Sequence, residues 1–161
     1  MDITLIPAAF DDKTLMRSLM ALYLYDFTEY TGDDINEHGA FEYHYLDSYW
    51  VEEDRHPFLL LVDGKIAGFV LVRDTKDEAG AVTHHLAEFF VMRKYRRQKI
   101  GRAAARQAFD HFPGKWEVLQ IPNNLPGQAF WRKVIGEYTG GNYTEKTLED
   151  GCVVQFFSTH S

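Results

Sequence analysis

Apolar positions alternate loosely over residues 3–8, a stretch that carries Pro7, and this predicts a short first strand. The period then lengthens. Leu15, Leu19 and Leu22 share one stripe with Met16 and Met20 beside it, which predicts a helix capped by Asp11 or Asp12 and running to about Tyr25. Residues 26–56 lack either period. They bring Phe41, Tyr43, Tyr45, Tyr49 and Trp50 close together among acidic residues and read as irregular or short-helical. Residues 58–62 and 66–73 are apolar, β-branched runs around Asp63-Gly64, whose residues accept the positive φ angles of a two-residue hairpin turn.

A further strand is expected over residues 82–92. A helix follows over 102–112, with Ala105, Ala108, Phe109 and Phe112 facing inward and Pro113-Gly114 ending it. Residues 116–121 predict a strand, and 126–135 a helix with proline in its first turn. Residues 144–148 and 152–157 form a closing hairpin around Asp150-Gly151. Helices interleaved with a mostly antiparallel sheet indicate an α/β or α+β layered fold. Parallel pairing is expected where a helix bridges the strands at 82–92 and 116–121. No repeat, low-complexity segment or linker divides the chain, so residues 1–161 are expected to form a single domain.

Composition narrows the class. The chain is 45% hydrophobic and 25% charged, as an ordinary globular domain is, and its formal net charge of −7 speaks against a nucleic-acid partner. A lone cysteine, Cys152, leaves no internal disulfide or cysteine-based metal site and suits a reducing cytoplasm. No signal peptide or membrane span is expected, so a cytoplasmic location is the default.

The placement of charge says more than its sum. No Lys or Arg occurs between Arg17 and Arg55, while Asp26, Glu29, Asp33, Asp34, Glu37 and Glu42 lie in that interval. Basic residues crowd instead into Arg93, Lys94, Arg96, Arg97, Lys99, Arg102 and Arg106. These runs suggest one anion-binding end and one cation-attracting end.

The basic run sits between a strand and a helix whose first turn holds Gly101, Arg102 and Ala103. Small residues there let an anion approach the free N–H groups of a helix start, where the helix dipole also favours negative charge. Arginines add charge-assisted contacts to phosphate oxygens. The spacing matches neither a P-loop nor a dinucleotide-binding glycine turn.

Val91, Tyr95, Arg96, Gly101 and Ala103 stand in the register of the Arg/Gln-x-x-Gly-x-Gly/Ala pyrophosphate loop of the GCN5-related N-acetyltransferases, which the chain resembles over nearly its whole length. Lys99 occupies the place of the usual first glycine, a position costly for other residues. A second segment, Asn124-Leu-Pro-Gly127-Gln-Ala-Phe130-Trp131-Arg-Lys133, is similar to the family's Asn-x-x-Ala-x-x-Phe-Tyr-x-Lys, with Gly127 leaving room for a pantetheine arm.

The resemblance implies transfer of an acetyl group from acetyl-CoA, without a metal, to the primary amine of a cationic small molecule in a ternary complex. It implies coenzyme contacts from Phe90, Val91, Arg96, Arg97, Gln98, Lys99, Ile100, Gly101, Arg102, Ala103, Asn124, Phe130 and Trp131. A homodimer is expected by the same analogy.

The chemistry requires a base for the ammonium, a donor for the oxyanion and an acid for the thiolate. His85 and Glu88 are the candidate bases. Strict alternation puts His85 with Ala87, Phe89 and Val91 and turns Glu88 to the other face, unless a bulge of the kind the resemblance implies re-aims it. The N–H of Phe90 or Val91 is the expected oxyanion donor. Trp131 replaces the family's acidic tyrosine, and indole does not titrate usefully, so Tyr138, Tyr143 or water is left for that role. Loss of the acid leaves open an alternative, a catalytically weakened acyl-CoA sensor.

Overall fold

The computed structural model describes residues 1–160. Its elements are β1 Ile3–Pro7, α1 Lys13–Thr31, β2 Arg55–Val62, β3 Lys65–Lys76, β4 Val82–Val91, α2 Ile100–His111, β5 Gly114–Gln120, α3 Leu125–Thr139, β6 Thr144–Thr147 and β7 Val153–Thr159. The strands form one sheet in the order β1-β2-β3-β4-β5-β7-β6. Every neighbouring pair is antiparallel except β4 and β5, which the α2 crossover makes parallel. The expected fold class and the site of parallel pairing are both met.

Two apolar layers cover the sheet. On one face Met16, Leu19 and Met20 of α1 pack with Leu46 and Tyr49 onto Phe69, Leu71 and Phe90. On the other, Ala105, Ala108 and Phe109 of α2 and Trp131, Val134 and Ile135 of α3 enclose Trp116, Val118 and Phe157. The Gln107 side chain hydrogen-bonds both Leu5 N–H, at 2.9 Å, and the Ile3 carbonyl, at 2.7 Å, which protects the edge strand β1.

The inner stripe of α1 differs from the expected one. Leu22 is exposed, and the buried line is Met16, Leu19 and Met20, continued by the partly buried Tyr23. The helix also runs to Thr31, past Tyr25, and ends where Gly32 takes a left-handed conformation (φ 69°) with its N–H on the Thr28 carbonyl. A glycine that supplies this cap was the available stop signal. Residues beyond it are irregular apart from a short 3-10 segment, Leu46–Trp50, as expected.

Two irregularities shape β4. Gly68 in β3 lies so close to it that an added Cβ would come 1.8 Å from the Phe90 oxygen. Farther along, Leu71 pairs with Glu88 but Val72 pairs with Leu86, so Ala87 is an extra residue in β4, a bulge.

Candidate active site

The bulge decides which side chains meet. Cα partners share a face, so His85 lies with its partner Arg73, and Glu88 with its partner Leu71 two residues away on the same strand. His85 and Glu88 therefore point to one face, contrary to strict alternation. Leu86 and Phe89 belong to the opposite, α2–α3 face, and so does His84. His84 is buried there, hydrogen-bonded to Asp74 at 2.6 Å and to the Pro113 carbonyl at 3.2 Å.

His85 and Glu88 line a cleft of about 840 Å³ under residues 42–49. Its floor is a row of cross-strand neighbours, Arg55, Arg73, His85, Glu117 and Phe156. Tyr43, Tyr45 and Tyr49 form a wall. The lining is aromatic but less acidic than the charge of residues 26–56 suggests. Asp26 is drawn to Arg93 and Arg96, Asp47 to Lys13 and Glu52 to Arg55, so Glu42 alone of that segment's carboxylates reaches the cleft.

Glu88 is held by the Tyr23 hydroxyl, which donates to its carboxylate from α1. Burial pushes the Glu88 carboxyl up to about 7, and the tyrosine bond, which favours the ionised form, opposes that only in part. Burial raises the Tyr23 phenol well above its ordinary range, with Glu88 adding to the effect, so it stays a donor. Tyr23 was missed in the sequence because it looked like one more apolar helix position. Its signal was the aromatic pair at i and i+4, Tyr23 and Phe27, stacked at 5.5 Å. The His85 Nε2 lies 2.8 Å from Thr75 Oγ1 and its Nδ1 3.5 Å from Glu117. Burial and the neighbouring Arg73 lower its pKa, which favours neutral imidazole.

Strands β4 and β5 pair only from Thr83↔Lys115 to His85↔Glu117 and then part. Past His85 the edge of β4 that faces β5 has no strand beside it. Met92 N–H bonds the Ala67 carbonyl at 2.8 Å; alternation from there aims Phe90 N–H at β3 and the N–H groups of Phe89 and Val91 at the opening. Phe90, with its ring buried in the α1 layer, is thus a packing residue, and Val91 rather than Phe90 offers the donor.

The basic turn lies at the end of that edge. Arg97 and Lys99 both adopt left-handed backbone conformations (φ 62° and 63°), the strain anticipated for a lysine in a glycine place. Among the described residues none accepts from the N–H groups of Arg97, Gln98, Lys99, Gly101 or Arg102, whereas Ala103 N–H is spent on the Lys99 carbonyl. Ile100 is fully buried and lends only its backbone.

The turn's arginines divide into two kinds. Arg96 gives its Nε to the Val91 carbonyl at 2.8 Å and pairs with Asp26, as Arg93 does, while Arg102 lies 2.9 Å from Glu137 of α3. Arg97 and Lys99 form no ion pair with any described residue. Gln98 donates to the Lys94 carbonyl.

The second segment is largely structural. Asn124 caps α3 by accepting from Gly127 N–H at 3.0 Å. The room beside Gly127 is taken by that same side chain, since a Cβ there would stand 2.4 Å from Asn124 Nδ2. Phe130 packs on Gly101 and Phe89, and Trp131 is buried against Phe89 at 4.9 Å between ring centroids. Tyr138 donates to Asp110, which with burial pushes it up to about 12 and removes it as an acid. No group of three or more metal-ligating side chains occurs among the described residues. No described helix is long and apolar enough to cross a membrane.

A mixed sheet parted between its parallel strands, with a basic, amide-lined turn on one border, defines an acyltransferase architecture. The chain belongs to the acetyltransferase (GNAT) family, whose model matches residues 16–136. No curated protein matches it significantly. Among solved structures it is similar to an acetyltransferase from Thermus thermophilus, at 15% identity and TM-score 0.68, covering 97% of this chain and 96% of the other. Arabidopsis thaliana Naa50 in complex with the bisubstrate analogue CoA-Ac-MVNAL is similar at 15% identity and TM-score 0.64, covering 98% and 99% of the two chains. The PaiA N-acetyltransferase of Thermoplasma acidophilum in complex with coenzyme A is similar at 13% identity and TM-score 0.62, covering 98% and 99%.

Proposed function

We propose that the protein transfers an acetyl group from acetyl-CoA to the primary amine of a small molecule, by direct attack within a ternary complex. One observation carries the reading: the Ala87 bulge turns Glu88 into the cleft beside the parted strands, where burial tunes its carboxyl to about 7. A base with that value is about half ionised at neutral pH, and is more basic than an ordinary carboxylate when it takes a proton from an ammonium that becomes a nucleophile.

The residues present fit the coenzyme. Unspent N–H groups at the turn and the unpaired cations Arg97 and Lys99 suit a diphosphate, and the open β4 edge suits the amides of an extended arm. When bound, acetyl-CoA supplies an activated thioester. Val91 and Phe89 N–H are the donors available for the oxygen that gains charge. Glu88 removes the ammonium proton, directly or through one water. His85, fixed by Thr75 and Glu117, orients the acceptor and is the second candidate base. Arg96 acts as a strut that holds the turn onto β4, and Arg102 ties α2 to α3.

The decisive experiment measures thiol release from acetyl-CoA over an amine panel, with Glu88→Gln and His85→Ala beside the parent. Turnover that collapses in Glu88→Gln supports the reading. Stabilisation by coenzyme A without thiol release from any amine would instead establish a sensor, and equal responses to ATP and coenzyme A would remove the coenzyme assignment altogether.

A further inference from the structure

Arg73 occupies an unusual place. It lies in the cleft floor directly between Arg55 on β2 and His85 on β4. Like charges set opposite one another across a sheet are destabilising, so such a row needs compensation. Arg55 has it, through Glu52 at 2.7 Å and the faces of Tyr45 and Tyr49, with ring centroids 5.2 and 5.3 Å from its guanidinium carbon. His85 has Glu117. The Arg73 guanidinium, half-buried, forms no ion pair or hydrogen bond with any described residue.

A second, independent vacancy adjoins it. Tyr49 is 3% exposed and lines the same cleft, and its buried hydroxyl, beside Tyr43 and Arg55, makes no well-formed hydrogen bond with either. Buried hydroxyls are ordinarily satisfied, and an orphan in a cleft wall marks where a ligand polar group belongs. The Arg73 cation thus lacks a partner, beside a wall of tyrosines, in a cleft that Glu42, Glu88 and Glu117 also line.

We infer that the acceptor amine also carries a carboxylate, bound by Arg73 with help from Tyr49, so that the substrate is a small amino-acid-like zwitterion. The assignment rests on the acetyltransferase reading for its amine end and on Arg73 for its anionic end. Geometry joins the two. Glu88 sits across from Leu71, two residues along β3 from Arg73, which is about 7 Å of strand. The guanidinium fork reaches back along that distance, so the carboxylate and the amine of one small molecule can engage both groups. Planar, bidentate recognition by arginine also distinguishes a carboxylate from a neutral amide of the same shape. A polyamine would place a further ammonium against Arg73 and Arg55, which the charge of the floor opposes.

The test compares amino acids with their carboxamides and with the corresponding amines that lack the carboxyl, in the parent, Arg73→Met and Tyr49→Phe. Thiol release gives kcat and KM, and calorimetry of the same amino acids with and without coenzyme A, which cannot acetylate them, gives binding independent of turnover. The expected parent prefers the carboxylate at least tenfold in kcat/KM. Arg73→Met raises KM for carboxylates at least tenfold, changes kcat little and leaves carboxamides unaffected. Tyr49→Phe raises KM for carboxylates alone. Carboxamides or polyamines turned over as well as amino acids, with Arg73→Met matching the parent, overturn the carboxylate assignment while the acetyltransferase reading stands. Amino-acid heat that disappears in Arg73→Met without thiol release from any amine supports the anion site and removes the acetyltransferase reading. Absence of that heat, in the parent with and without the coenzyme, removes the anion site whatever the turnover.

Discussion

The basic turn after β4 and the cleft floor beneath residues 42–49 use arginine in opposite ways. In the turn, half of the basic residues between Arg93 and Arg102 are neutralised: Arg93 and Arg96 by Asp26, Arg102 by Glu137. What remains for an anion there is main-chain N–H and three side chains, Lys94, Arg97 and Lys99. In the floor, Arg55 is neutralised and its neighbour Arg73 is not. A count of positive charges ranks the turn far above the floor. A count of unspent ones leaves three in the turn and one, Arg73, in the floor, and that second count is the one a ligand meets.

The largest effect is expected in the cleft. Glu88→Gln should lower kcat/KM by about 100-fold or more, the usual scale for loss of a positioned base. In the parent, kcat/KM should rise about tenfold per pH unit below the Glu88 value of about 7 and level above it, a rise absent from Glu88→Gln. The same residue should tilt the stability curve. Folded Glu88 keeps its proton to about 7 whereas the unfolded carboxyl releases it near 4.5, so between these values the native state holds more protons and loses stability as pH rises. Urea denaturation at pH 8 should therefore find Glu88→Gln more stable than the parent, by on the order of 3 kcal/mol, with the gap closing by pH 4.

In the turn, Arg97→Ala should weaken coenzyme A by about tenfold in calorimetry, the scale of one charge-assisted contact, and leave the fold untouched. Asp26→Asn reverses that pattern. It should release Arg93 and Arg96, cost about 1 kcal/mol of stability and change coenzyme affinity only a few fold. If Asp26→Asn instead tightened binding strongly, the paired arginines would be ligands held in reserve and the contrast with Arg97 would dissolve. The smallest effect belongs to Lys99→Gly. Removing a side chain from φ 63° should leave stability equal or raise it by about 1 kcal/mol, as thermal denaturation would report.

Much of the fold was legible because local patterns and tertiary packing agree. The Asp63-Gly64 hairpin, the strand–helix–strand passage through α2 and the closing strand pair each carry their own turn signal and appear where expected. The helix α1 ran past its expected end because its outer turns are held by aromatic stacking, which hydropathy does not register. In the site, Gly101 and the strained Lys99 were legible from small-residue and glycine logic. The role of Arg96 was not, because it is spent on a partner that only the folded chain brings near, Asp26 in α1; the Asn124 cap on Gly127 N–H is a local signal that the sequence carried.

By itself the amino-acid order determined the layered fold, the basic turn at a helix start and the two candidate bases, since periodicity, turn chemistry and residue type act over a few neighbours. Tertiary structure decided that His85 and Glu88 share a face, that Tyr23 holds the carboxylate and that Arg73 stands without a counter-ion. The reason is physical: one extra residue in a strand reverses every side chain beyond it, and whether a charge is free depends on what the rest of the molecule places beside it.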